Sequence, residues 1–277
     1  MSTTDKLPES RNPLAAYEGV LRTAVGACWP GSHALFRGLN LHTELQDSDW
    51  LGLYVFGLTG RHFSPAEIRM LHGIWVLTSY PDTRLWNNRV GALAATTRSS
   101  AVLGLAAAVG VTEAGIYGGG PGIRAIDFFQ RVGRAVDDGQ ELSEFVAAEM
   151  EVRRIYGYGR PLNSHDERLS SLRALAESLG FADGKHYRLA LAVGEILVRD
   201  YKPFLLMNFA GLTAALCVDL GFTPRQYQLF NILKTLAGIP PCILEAAEKP
   251  AGAIYPLRCE QVNYIGVSPR EWPKRVG

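Results

Sequence analysis

Two runs of this chain, residues 101–111 and 204–218, are apolar on nearly every side when wound as helices, and helices of that kind need neighbours all round. Dense helix punctuation surrounds them. Ser64-Pro65-Ala66-Glu67 and Thr223-Pro224-Arg225-Gln226 are capping boxes with proline at the first helical position, where its missing N–H is not needed. Ile68, Leu71 and Trp75, and then Tyr227, Phe230 and Leu233, keep helical spacing behind them. Leu169, Leu172, Ala176 and Leu179 line another face, stopped by Gly180, and Leu189, Val193, Ile196 and Leu197 line the next. Strand-like alternation is confined to Ala34-Leu35-Phe36 and to C-terminal pieces at Ile254-Tyr255 and Val262-Asn263-Tyr264. Strands do not alternate with helices, as an α/β chain requires. The expected fold is mainly α with short C-terminal strands, and both apolar runs buried.

At 277 residues and 47% hydrophobic, the chain can bury a full core. Its net charge of +1 comes from interspersed acidic and basic residues, with no basic stripe to hold nucleic acid or an anionic membrane. The run from Phe204 to Val218 is shorter than the roughly 20 residues of a membrane span and contains Asn208. Cys28, Cys217, Cys242 and Cys259 are scattered, form no metal-ligand pattern with the histidines, and read as reduced thiols. Residues 1–13 read as a flexible polar arm without the apolar core of a signal peptide, so a cytoplasmic protein is expected. Tyr117-Gly118-Gly119-Gly120-Pro121-Gly122 reads as a helix break and, with no Gly-Lys-Ser/Thr after it, is not a P-loop.

Five segments carry a family resemblance. Gly157-Tyr158-Gly159-Arg160-Pro161-Leu162 with Asp166-Glu167-Arg168 resembles the G-[FYI]-G-H-[RP]-V…D-P-R segment of the citrate synthase and citryl-CoA lyase superfamily. Lys202 to Gly211, running on to Val218-Asp219, is similar to K-P-x-L-x-x-N-V-D-G…V-D. Ile116 to Gly119 is similar to L-H-G-G, Thr78 to Val90 to A-D-H-x-x-N-A-S-x-F-A-A-R-V, and Arg258 to Gly266 to R-P-x-x-x-Y-x-G. Together they cover roughly residues 48–266 in the right order. The resemblance implies a two-lobed helical homodimer. Its large lobe comes from residues 14–117 and 208–277, and a small CoA-binding lobe from 118–207.

The resemblance also marks departures. The family's catalytic aspartate falls on Ala210, its histidines fall on Ser79, Tyr117 and Arg160, and Asn208, Arg89, Arg168 and Arg258 are kept. Condensing or cleaving an acyl-CoA needs a base for a proton, donors for the enolate oxygen and cations for carboxylates. Ala210 accepts no proton, so the ordinary citrate synthase reaction is not expected. Arg160, Arg168 and Arg258 are the expected carboxylate clamps, since guanidinium matches carboxylate bidentately; the plainer reading is surface ion pairing. Ser79, Tyr80, Asn87, Arg89 and Asn208 complete the substrate-binding set, and Gly118, Gly119, Gly157 and Gly159 the cofactor-binding set. Asp82 is the one carboxylate near that segment able to replace the base; read plainly, it caps a helix and Asn87 and Asn88 are solvated. Tyr117 and His165 complete the candidates for acid–base work.

The expected function is an acyl-CoA carbon–carbon lyase or acyltransferase acting on a small carboxylate or citryl-type substrate, with a CoA thioester as cosubstrate and no metal. The alternative is a non-catalytic protein on the same scaffold that senses acyl-CoA or carboxylates.

Overall fold

The computed structural model describes Gly19 and residues 21–116, 118–160, 165–253 and 258–271. Ile254-Tyr255, Tyr117 and the arm 1–13 lie outside them. Among the described residues are eleven α-helices and one small sheet.

Side-chain caps explain several helix starts. In α2 (Pro65–Thr78) the Ser64 N–H donates to Glu67 Oε2 at 2.6 Å and the Glu67 N–H to Ser64 Oγ at 3.3 Å. In α10 (Pro224–Leu233) Thr223 and Gln226 repeat the exchange at 2.9 and 3.2 Å. Each box satisfies two N–H groups that a helix start leaves without acceptors. Asp49 caps α1 (Trp50–Thr59) through the Gly52 N–H at 2.9 Å.

The sheet lies near the N-terminus. Strands β1 (Gly26–Trp29), β2 (His33–Phe36) and β3 (Leu39–Asn40) pair antiparallel in that order, so the alternation at Ala34–Phe36 marks a true strand. Arg37 and Gly38 turn β2 into β3 with φ of 52° and 87°, and the Arg37 guanidinium donates to Gly57 O at 2.8 Å from Nη2. The C-terminal strand expected at Val262–Tyr264 does not form. Residues 260–271 are all exposed, so no neighbouring strand accepts their backbone.

The described residues of Met1–Leu77 and Gly119–Asn231 form one compact unit, and those of Thr78–Gly118 and Ile232–Gly277 another. In the first, α5 (Gly119–Asp137), α6 (Leu142–Val152), α7 (Arg168–Ser178), α8 (Lys185–Asp200) and α9 (Phe209–Asp219) share one core, with Phe129, Tyr158, Phe209, Tyr227 and Phe230 fully buried. Helix α9 packs on α5 and α8, although the resemblance assigns these elements to different lobes. In the second unit α3 (Trp86–Thr96), α4 (Ala101–Gly110) and α11 (Ile239–Glu248) pack through Ala92, Ala95, Ala108, Ile239, Ile243 and Ala246.

The two apolar runs part company. In α9 every residue from Gly211 to Cys217 is buried, as expected, but the helix begins only at Phe209, and Phe204, in the turn before it, is 50% exposed. In α4 only Gly104 and Ala108 are buried, while Val102 and Leu103 are 75% and 68% exposed. The expectation of burial all round fails there because α3 and α11 cover one side only. The glycine-rich break is also displaced. Gly118 turns the chain at φ 72°, but Gly119 to Gly122 already form the first turn of α5, where Pro121 needs no N–H acceptor.

Candidate functional site

The centre of the first unit is a backbone crossing between the glycine turn 157–159 and the start of α9. Tyr158 pairs with Met207 in an isolated antiparallel bridge, Gly159 N donates to Leu206 O at 2.7 Å, and Asn208 N donates to Gly157 O at 2.9 Å. Asn208 is the N-cap of α9. Its side-chain oxygen accepts the Gly211 N–H at 3.2 Å and its Nδ2 donates to Gly159 O at 2.9 Å. Gly157 has φ 100°, and a Cβ there would lie 2.7 Å from Gly211 Cα. That contact and the left-handed backbone both require glycine. Tyr158, fully buried, donates from its hydroxyl to Ala190 O at 2.7 Å, and burial holds its pKa well above the usual value. The sequence pattern of this segment is thus explained by close packing on α9.

Asp166 ties the next segment to the same helix start. Its side chain is wholly buried; Oδ2 accepts the Phe209 N–H at 2.9 Å, and both oxygens accept from Arg168 at 2.7 Å. Burial pushes the Asp166 carboxyl up, but the Arg168 fork and charge and the Phe209 N–H outweigh it and hold the pKa below the ordinary carboxylate range. The Arg168 guanidinium stacks 4.4 Å from the Phe209 ring centre, and its side chain keeps 21% exposure. Arg160 donates from Nη1 to His165 O at 2.8 Å and to Glu167 Oε2 at 3.0 Å. His165 itself is exposed. Gly157, Gly159, Arg160, His165, Arg168 and Asn208 are therefore gathered around the N-terminus of α9, whose first turn carries Ala210.

Gly119 opens α5 in the first unit, and the second unit holds the other described sequence-predicted residues. Asp82 is gripped by Arg84, with Nη2 to Oδ2 at 2.7 Å and the Arg84 N–H to Oδ1 at 2.8 Å. This fork and the backbone N–H lower its pKa to about 2. Asp82 caps no helix, because the residue before α3 is Leu85. Asn87 and Asn88 are not solvated: they are 2% and 1% exposed. Asn88 Nδ2 donates to Tyr80 O and Asp82 O at 2.8 and 2.9 Å, fixing the loop that precedes α3. Asn87 Nδ2 donates to Thr112 Oγ1 at 3.4 Å, while its buried Oδ1 has no partner among the described residues. Ser79 Oγ donates to Lys234 O at 3.2 Å. Arg89 and Arg258 are exposed. A Cβ on Gly118 would lie 2.1 Å from Thr112 O, so this glycine is required by packing alone.

Three residues escaped the sequence reading. Lys234 is only 6% exposed, and buried lysines are rare because their charge must be compensated. Asp219 accepts the His186 N–H and ring Nδ1 at 2.9 and 2.8 Å and the Tyr187 N–H at 2.9 Å, so it caps α8. Asn231 is 1% exposed with neither side-chain polar atom partnered among the described residues. Asn231 lies inside the apolar repeat of α10, where spacing alone reports only a buried position, whereas Asp219 ends α9 and Lys234 follows the end of α10.

No family model matches the chain, and no curated protein matches it. Solved structures do match. Citryl-CoA lyase from Hydrogenobacter thermophilus aligns with a TM-score of 0.81 at 24% identity, over 92% of this chain and 98% of that one. ATP citrate lyase from Methanothrix soehngenii, solved in complex with citrate and coenzyme A, aligns with a TM-score of 0.75 at 16% identity, over 97% of this chain but 46% of that one. Citrate synthase from Thermoplasma acidophilum, in a ternary complex with carboxymethyl coenzyme A and oxaloacetate, aligns with a TM-score of 0.64 at 17% identity, over 82% of this chain and 60% of that one. The chain has the mainly α fold of the citryl-CoA lyases and citrate synthases.

Proposed function

We propose that this protein is a divergent acyl-CoA carbon–carbon lyase or acyltransferase that acts on a small carboxylate or a citryl-type thioester. The observation that carries this reading is the match over 98% of the length of a citryl-CoA lyase, with the five family segments in order along this chain. Cleaving a citryl-type thioester breaks the carbon–carbon bond beside the hydroxyl-bearing carbon. The hydroxyl proton goes to a base, and the electron pair goes to the thioester enolate, which is then protonated.

The site residues are part of the proposal. Arg160 and Arg168 are assigned to carboxylate recognition at the start of α9, with Ser79, Tyr80, Asn87, Arg89, Asn208 and Arg258 as further substrate contacts. Lys234 joins them as a buried cation whose own carbonyl is held by Ser79. A CoA thioester is assigned to the glycine-bearing segments 118–119 and 157–159, and the two-lobe division at 118–207 is proposed as the functional one. A homodimer is proposed through the exposed apolar face of α4, and a cytoplasmic location from the scattered cysteines of the sequence.

A second reading, binding without turnover, is favoured by two observations. Ala210 stands where the family has its base, and the Asp82 carboxylate, with a pKa of about 2, is a weak proton acceptor. One experiment separates them. The protein is screened by thermal shift with citrate, CoA and citryl-CoA, since a ligand that binds only the folded form raises the melting temperature. Cleavage of citryl-CoA to acetyl-CoA and oxaloacetate is then followed. Stabilisation with cleavage supports the enzyme; stabilisation without cleavage supports the sensor; no stabilisation by any of the three removes both.

A further inference from the structure

Arg160 and Glu167 both depart from the family pattern, which has a histidine and a proline at these positions, and they pair with each other. Arg160 Nη1 donates to Glu167 Oε2 at 3.0 Å and to the His165 carbonyl at 2.8 Å. A cation and an anion thus enter the pattern together, and their charges cancel. The neighbouring pair is built differently. Asp166 is wholly buried, grips Arg168 with both oxygens and holds the Phe209 N–H, so it is fixed. The Glu167 side chain is 60% exposed and meets Arg160 with one oxygen. It stands at the N-cap position of α7 but accepts no N–H of that helix.

The Arg160 side chain is 22% exposed, so a solute reaches it from solvent. Both of its contacts run through Nη1. The Nε–Nη2 edge, a pair of donors that suits a carboxylate, meets no acceptor among the described residues. A ligand carboxylate arriving there sets two anions on one cation, and like charges at that range repel. The exposed one returns to water at small cost, since an exposed ion pair contributes little. The His165 carbonyl is uncharged backbone, and it keeps the guanidinium in place when the Glu167 side chain leaves.

We propose that Glu167 stands in for the ligand at Arg160: its carboxylate holds the guanidinium in the free protein and gives it up to a carboxylate of the bound molecule. Glu167 is therefore a specificity residue. It lowers affinity for ligands that bring a carboxylate to this position and leaves other ligands unaffected. Asp166, buried and held by Phe209, plays no such part at Arg168. The inference rests on the assignment of Arg160 to carboxylate recognition above, and it adds the competitor that the ligand has to replace.

The test measures binding of citrate and of CoA, which carries phosphates but no carboxylate, by calorimetry. Glu167→Gln keeps an oxygen that accepts from Nη1 and removes the charge. It is expected to bind citrate about two- to fivefold tighter than the wild type, the factor that an exposed ion pair represents, with CoA binding unchanged. Glu167→Ala is expected to show the same gain and keeps the test open if Glu167→Gln does not fold. Arg160→Gln is expected to weaken citrate binding, and adding Glu167→Gln to it should gain nothing, since no pair is left to break. Citrate affinity equal to that of the wild type in both Glu167 variants overturns the inference. So does a weaker affinity, which would make Glu167 a residue that positions Arg160. A gain that persists without Arg160, or that CoA shares, overturns it too, because Glu167 would then repel anions in general. Citrate bound by neither the wild type nor Glu167→Gln removes the carboxylate-clamp reading of Arg160 itself, and the inference with it.

Discussion

Asp166 holds Arg168 in a two-pronged ion pair, at 2.7 Å on both arms, and with the same carboxylate accepts the first N–H of α9. The pair is intramolecular and partly exposed on the arginine side only. Arg168 is thereby fixed at the helix start, with its guanidinium over Phe209 rather than free to swing.

Asp166→Asn should destabilise the protein by about 2–4 kcal/mol, because it leaves a guanidinium without its carboxylate next to a buried amide. The pH dependence follows from the sign of the shift. The folded pKa lies below the unfolded value, so the Asp166 contribution is complete above the unfolded pKa and is lost as pH falls through the folded one. Urea unfolding across the acid range should show the wild type losing this stability and Asp166→Asn lacking that component.

Arg168→Lys keeps the charge but not the fork. If Arg168 also meets a substrate carboxylate, affinity for the ligand found by thermal shift should fall by roughly ten- to a hundred-fold. Unchanged affinity would leave Arg168 with its structural role beside Asp166 alone.

Gly157→Ala should destabilise by about 2–4 kcal/mol, since its methyl group meets Gly211 Cα at 2.7 Å across a backbone crossing that cannot give way. Gly159→Ala, whose φ is 74° and whose nearest neighbour is a Leu205 methyl at 3.4 Å, should cost only about 1 kcal/mol. Equal losses in denaturant titrations would refute the account of the crossing.

Purified protein should not form citrate from acetyl-CoA and oxaloacetate, because Ala210 offers no proton acceptor where the family resemblance places its base. Thiol release at ordinary synthase rates would show that the base does not act from the Ala210 position.

Leu103→Glu on the exposed face of α4 should convert a dimer to a monomer, as a charge cannot be left unpaired in an apolar interface. Light scattering decides this. A wild type that is monomeric at every concentration ends the proposal.

What the sequence settled alone was local. Capping boxes at Ser64 and Thr223 and the apolar repeats behind them fix helices because each involves residues within a turn or two of one another. The order of five segments was enough to indicate the fold that the solved structures share. Burial was beyond its reach. Residues of α4 and α9 have much the same apolar composition, yet one helix exposes Val102 and Leu103 while the other buries every residue from Gly211 to Cys217. Pairing was equally hidden: Asp82 and Asp166 each stand two residues before an arginine and each is forked by it, but only Asp166 is sealed against a helix start 43 positions away. Asn231 looked like one more position on an amphipathic helix until its neighbours were known. Hydrogen-bond satisfaction and burial depend on residues distant in sequence that approach within a few ångströms, and only the folded chain decides which ones do.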